Sequence, residues 1–214
     1  MKEIYKSYMM EQLEKLLSID SPTGFTNKVQ DYLCEEITRL GYKPERLHKG
    51  GVRAELGGTG NGLMLFAHVD TLGAVVNTIK PDGRLVLSRV GGLNPNNVET
   101  NNVRVYARLG GCYEGTIQVP NASSHVNAEV NKARSFESNL EVVLDEFVSS
   151  AEETKELGIR NGDFVVLDPR FTVTQKGYIK SRFLDDKASA AVLLTYAKYL
   201  KDEGITPSRR VVIG

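Results

Sequence analysis

The sequence has no surplus of either charge: Lys plus Arg and Asp plus Glu each number 27 in 214 residues, for a formal net charge of zero. No basic face with interleaved aromatics stands out either. Phosphate contacts dominate nucleic-acid affinity, so nucleic acid is not an expected partner. No apolar run reaches the roughly 18 residues that a membrane span requires, so no membrane partner is expected. The opening stretch MKEIYKSYMMEQLEKL carries charges throughout and lacks an apolar core, and so does not read as a signal peptide. Cysteine is scarce. Cys34 and Cys112 stand far apart without CxxC spacing, and two lone thiols fit a reducing cytoplasm. The glycine pairs at 50–51, 57–58, 91–92 and 110–111 read as turns, because none belongs to a GxxxxGK[ST] phosphate-binding loop. There is no internal repeat.

What is present is a chain long enough to bury a real core, as one large domain or two small ones. Ile4, Tyr5, Met9, Leu13, Leu16 and Leu17 recur at helical spacing and predict a helix over 2–17. Pro22 and Gly24 break it. Thr26 is placed to cap a second helix with the stripe Val29, Tyr32, Leu33, Ile37 and Leu40, which Gly41 ends. Short strands follow near 52–56 and 62–68. From about residue 73 the texture changes to short β-like runs at 84–90, 103–107, 115–119, 141–144 and 164–167, separated by turns rich in Gly, Asn and Pro. That spacing suggests a small barrel or sandwich. The polar stretch 121–139 reads as a mobile loop. SAEETKELG reads as a short helix with Ser150 and Glu153 at capping-box spacing. Helical texture returns over 187–203, and RRVVIG begins another buried strand. The layout is α/β, interrupted by an all-β insertion.

Two places carry candidate chemistry. The apolar run at 63–67 reads as a buried strand ending in His68, with Asp70 two positions on. Side chains at i and i+2 of a strand share a face, so the carboxylate can accept the second imidazole N–H and fix the ring for a metal. Open α/β sheets also bind ligands at the carboxyl ends of their strands. A simple structural His–Asp hydrogen bond is the alternative. The second place is Asp185 and Asp186 at the start of a helix, ahead of Lys187. One carboxylate would satisfy the helix N-terminus; a pair can also let one oxygen bridge two metal ions. His48 and His125 have no evident partner and read as exposed loop residues.

Taken together, FAHVDTLGAVV, the β insertion, LGIRNGDFVVLDP and GYIKSRFLDDKASA, with SPTGF upstream, resemble the glutamyl aminopeptidase family, also labelled endoglucanase-like or tetrahedral aminopeptidases. The resemblance spans nearly the whole chain. It implies a zinc-peptidase-like mixed sheet flanked by helices, formed by residues 1–72 and 166–214. Residues 73–165 would form an inserted β-barrel that shapes the substrate chamber and takes part in oligomer contacts. It further implies a cytoplasmic exopeptidase with two divalent ions, Zn or Co and possibly Mn, acting on peptides and assembled as dimers or dodecamers. By position, His68 would bind one metal, Asp185 would bridge the two, Asp186 is its neighbour, and Asp70 would be the catalytic-site carboxylate that orients His68. In such a site the ions polarise the peptide carbonyl and acidify a water, and a glutamate moves the proton.

The resemblance also implies a catalytic glutamate and a ligand glutamate just after the RRVVIG strand, with a further aspartate and histidine later. No glutamate follows Glu203. The chain of 214 residues is therefore expected to lack these parts, to be inactive, and to leave the strand at 210–213 without the neighbours that complete its sheet. Two other readings are a related di-metal deacylase or carboxypeptidase, and a non-catalytic binding or assembly module.

Overall fold

Helical periodicity becomes structure where the apolar stripe finds a partner. The computed structural model describes residues 2–214. Helix α1 (Glu3–Ser18) buries Tyr5, Tyr8, Leu13, Leu16 and Leu17, while Ile4 faces solvent. Helix α2 (Asn27–Arg39) starts after Thr26, but the Thr26 hydroxyl makes no capping bond; it accepts instead from Gln30 Nε2 at 2.8 Å. Gly41 ends the helix at φ +83°, and Tyr42 N–H reaches back to the Ile37 carbonyl at 3.1 Å. That is the left-handed exit for which glycine is suited.

Three strands follow: β1 (Pro44–Arg46), β2 (Val52–Gly57) and β3 (Leu63–Leu65). Next come β4 (Gly73–Ile79), β5 (Leu85–Val90), β6 (Asn102–Tyr106), β7 (Cys112–Gln118) and β8 (Glu141–Leu144). Helix α3 (Ala151–Glu156) and strand β9 (Phe164–Leu167) close that region. The chain finishes with β10 (Thr172–Val173), β11 (Ile179–Lys180), helix α4 (Leu184–Asp202) and β12 (Val211–Ile213).

Two compact units result. One comprises the chain through Thr71 together with Pro169–Gly214; the other is Leu72–Asp168. A boundary at 165 would cut β9, which pairs along its length with β6 and so belongs whole to the second unit.

The first unit is a mixed four-stranded sheet in the order β1-β2-β12-β3, with β10 and β11 as a separate hairpin. Its core joins Leu13, Leu16 and Leu17 of α1, Val29 and Ile37 of α2, Leu194 and Ala197 of α4, and Ala54 and Ile213 of the sheet. Two expectations are corrected here. Strand β12 does not lack neighbours: it lies between β2, antiparallel, and β3, parallel. The apolar run at 63–67 is not a buried strand. Among the described residues β3 pairs only with β12, so it is the outer strand of this sheet, and Leu63, Met64 and Phe66 are exposed.

The second unit is a closed barrel in the order β4-β5-β8-β7-β6-β9. Alternate residues fill it, among them Val76, Leu85, Leu87, Val105, Ile117, Val142 and Val165, as a half-buried strand pattern requires. A buried Glu141 is met by Lys80 Nζ at 2.6 Å and by Arg84. The polar stretch 121–139 is an irregular loop, as expected, and contains several turns. It buries Phe136 and ties Arg134 Nε to Glu99 Oε2 at 2.5 Å.

Candidate metal centre

Strand pairing of β3 stops at Leu65, and the chain then leaves the sheet. Ala67 N–H still reaches the Gly214 carbonyl at 3.0 Å. Residues 66–70 are irregular, so His68 and Asp70 do not share a strand face as expected. They meet all the same. His68 Nδ1 lies 3.2 Å from Asp70 Oδ1 and 3.2 Å from the Asp70 backbone carbonyl. The other carboxylate oxygen, Oδ2, accepts from the Thr23 hydroxyl at 2.6 Å.

The opposite ring nitrogen faces a residue 117 positions later. His68 Nε2 lies 3.2 Å from Asp185 Oδ1. Asp185 is presented by an unusual helix start. Phe183 sits at φ +65°, the Asp185–Asp186 peptide is cis, and both aspartates have non-helical dihedrals, so regular helix begins only at Lys187. No side-chain cap hydrogen bond is made at the start of α4. The Asp185 side chain is almost fully exposed and aims its oxygen at the imidazole.

Burial pulls the His68 pKa down. The hydrogen bonds to the Asp70 carbonyl and the Asp185 carboxylate, with the charges of both aspartates, outweigh this and hold it above the ordinary value. A nitrogen and an oxygen sharing one tetrahedral ion, each about 2.1 Å from it, would lie about 3.4 Å apart. The 3.2 Å separation fits that arrangement. The fit stops at two donors: among the described residues, no group of three or more His, Cys, Asp or Glu could hold an ion. Beside His68 and Asp70 opens a cavity of about 460 Å³, with Leu33, Val52, Leu194 and Ile213 among its walls.

His48 lies exposed in the turn before β2, and His125 is exposed in the barrel unit, as expected for loop residues. Sequence reasoning missed Thr23 and gave Lys187 no role. Lys187 is buried and donates to the carbonyls of Leu16 at 2.6 Å and Ile19 at 2.8 Å. Burial pushes its amine down to about 8, partly opposed by Asp20. A signal was present: Lys187, Ala190, Ala191 and Leu194 share the buried stripe of α4 at helical spacing.

The family model for M42 glutamyl aminopeptidase matches residues 50–213. The chain belongs to the M42 glutamyl aminopeptidase family. YhfE of Bacillus subtilis (strain 168) is 44% identical over 92% of this chain and 57% of its own length. The structure of aminopeptidase APDkam598 from the archaeon Desulfurococcus kamchatkensis superposes with a TM-score of 0.84 at 26% identity, covering 98% of this chain and 55% of that one. The Pyrococcus horikoshii TET1 peptidase, whose structure is described as assembling into a tetrahedron or a large octahedral shell, gives 0.78 at 25% identity over 96% and 59%. The chain thus spans little more than half the length of these relatives. The match favours neither the deacylase or carboxypeptidase reading nor the non-catalytic one. Among the described residues, no helix is long and apolar enough to cross a membrane.

Proposed function

We propose that this M42 chain serves metal-dependent aminopeptidase chemistry, the release of N-terminal residues from peptides. His68 and Asp185 would be ligands of a divalent ion, Zn, Co or Mn, with Asp70 orienting His68. The observation that carries the reading is the approach of His68 Nε2 to Asp185 Oδ1 at 3.2 Å, across 117 positions of sequence and within the stretch that the family model matches. The chemistry a bound ion supplies is polarisation of the scissile carbonyl and a more acidic water. A second divalent ion, for which Asp185 would also be a ligand, is part of the same proposal.

The chain's own residues have definable work. The Asp70 backbone carbonyl and Oδ1 both face Nδ1 at 3.2 Å and turn Nε2 outward. Thr23 holds the other Asp70 oxygen. Asp185, free of helix dihedrals, aims its carboxylate at the same point. Self-assembly is proposed on the likeness to the TET1 peptidase. A reducing compartment such as the cytoplasm is proposed because the chain has only two cysteines, Cys34 and Cys112, far apart and without CxxC spacing.

Cobalt titration tests the ligand assignment. Wild type should develop the visible absorption of bound Co²⁺, and His68→Ala and Asp185→Asn should each abolish it. Binding by either variant as tight as wild type would remove that residue from the site. Catalytic zinc ordinarily takes three protein ligands plus water, and this pair supplies two. The 214-residue chain alone should therefore show no turnover of L-aminoacyl p-nitroanilides with Co²⁺ added. Robust turnover would mean that the ligand set is larger than the geometry shows.

A further inference from the structure

The segment from the end of α1 to Gly24 takes hold of both halves of the site. On one side, Lys187, two residues after Asp185, donates to the Leu16 and Ile19 carbonyls at 2.6 and 2.8 Å. On the other, the segment is zipped to the chain around Asp70. Ser21 Oγ donates to the Val69 carbonyl at 2.7 Å, Thr71 N–H donates to the Ser21 carbonyl at 2.8 Å, and Thr23 N–H donates to the Thr71 carbonyl at 3.1 Å. Pro22 and Thr71 form an isolated parallel bridge. Ser21 is fully buried, so this zipper is not a surface accident.

Each of these bonds ends on a backbone carbonyl. One more bond from the segment ends on a side chain: Thr23 Oγ1 donates to Asp70 Oδ2 at 2.6 Å. A carboxylate on a short side chain rotates about a broad terminal torsion, and either oxygen can present itself to a neighbour. With Oδ2 occupied by the hydroxyl, Oδ1 is the carboxylate oxygen that faces His68 Nδ1, at 3.2 Å, beside the Asp70 backbone carbonyl at the same distance. Asp70 is half-exposed, so packing alone does not set its rotation.

We propose that Thr23 is a positioning residue: its hydroxyl sets the rotation of the Asp70 carboxylate and, through it, the direction in which His68 presents Nε2. Thr23 touches neither ring nor ion and acts through Asp70. Groups that orient a metal-binding histidine typically account for ten- to a hundredfold in affinity, and Thr23 is one hydrogen bond further out. The inference rests on the assignment of His68 as a ligand only for its functional consequence; the geometric claim stands separately.

The test uses Thr23→Val, which keeps the shape and removes the donor, and Thr23→Ser, which restores the hydroxyl. Crystal structures of both variants are read at Asp70. In Thr23→Val the Asp70 carboxylate should rotate away from Nδ1 or occupy several orientations; in Thr23→Ser the wild-type geometry should return. Co²⁺ affinity is measured alongside. Thr23→Val should weaken it about threefold to tenfold, with Thr23→Ser within twofold of wild type and all three proteins melting as one cooperative unit. Unchanged Asp70 and His68 geometry in Thr23→Val overturns the inference, as does a loss of affinity that Thr23→Ser fails to rescue. If wild type binds no Co²⁺, the ligand assignment falls, and the crystal structures alone still decide the role of Thr23.

Discussion

Glu36 shows how one residue can carry a measurable share of stability. Its side chain is almost wholly covered on α2. Arg39 donates to it twice, Nε to Oε2 at 2.8 Å and Nη2 to Oε1 at 2.5 Å, and the Tyr8 hydroxyl donates to Oε1 as well. Burial pulls its pKa up, but the bonds from Arg39 and Tyr8 and the charges of Arg39 and Lys198 outweigh this and leave it below the ordinary carboxylate value of 4.5. The folded state thus holds its proton less tightly than the unfolded chain. As pH falls below about 4.5 the unfolded state takes up the proton first, and the stability Glu36 contributes is lost through the folded pKa. Urea unfolding from pH 7 to pH 3 should show this loss. Glu36→Gln should be less stable at pH 7 by about 1–3 kcal/mol and show a flatter acid limb. An unchanged acid limb in Glu36→Gln would assign the loss to other carboxylates. At this scale the site was half legible. His68 and Asp70 stood out because they close an apolar run, and Asp185 because it is one of two adjacent carboxylates at a helix start that needs only one. Thr23 was illegible because a threonine in a turn has many uses, and only the fold brings its hydroxyl to Asp70.

Local rules worked best for elements that solve their own end problems. Ser150 and Glu153 predicted a capped helix, and α3 begins with Ser150 Oγ accepting from Glu153 N–H at 3.2 Å. The return bond departs from the usual box: Glu153 Oε2 accepts from Ser149 N–H at 2.6 Å, one residue earlier than the cap. A helix of this length has little else to hold its first turn, since the four leading N–H groups find no intrahelical partner. Ser150→Ala should cost about 1 kcal/mol in chemical denaturation, while Ser150→Asp should restore most of it. Equal stability of Ser150→Ala and wild type would show that the Glu153 bond alone anchors the helix. Rules that read burial from composition fared worse. The run LMLFA looked like a core strand because it is apolar without interruption, yet its position in the strand order makes it an edge. Strand order is a tertiary property, and a short apolar run carries no mark of how many neighbours it has. The same limit applied to β12, whose two partners, β2 and β3, lie more than 140 residues earlier.

For the molecule as a whole, an alternation of textures along the sequence corresponds to two compact units, and the insertion was legible because strand period and turn chemistry replace helical period near residue 73. The consequence of an apolar edge also belongs to this scale. Strand β3 uses one side for β12, and its other side lies outside the four-stranded order. Met64 and Phe66 along and just beyond it are 41% and 69% exposed. An outer strand with unpaired backbone groups and apolar side chains is a template for pairing with another chain, and proteins usually blunt such edges with lysine or proline. No charged residue interrupts residues 62–67. The chain should therefore self-associate as its concentration rises, and light scattering coupled to size exclusion should show mass above 23.6 kDa. Met64→Lys combined with Phe66→Lys should shift it toward the monomer while leaving the melting temperature within a few degrees, since both side chains are largely solvated. If the double variant associates as strongly as wild type, the contact between copies lies elsewhere on the surface and the β3 edge is not its cause.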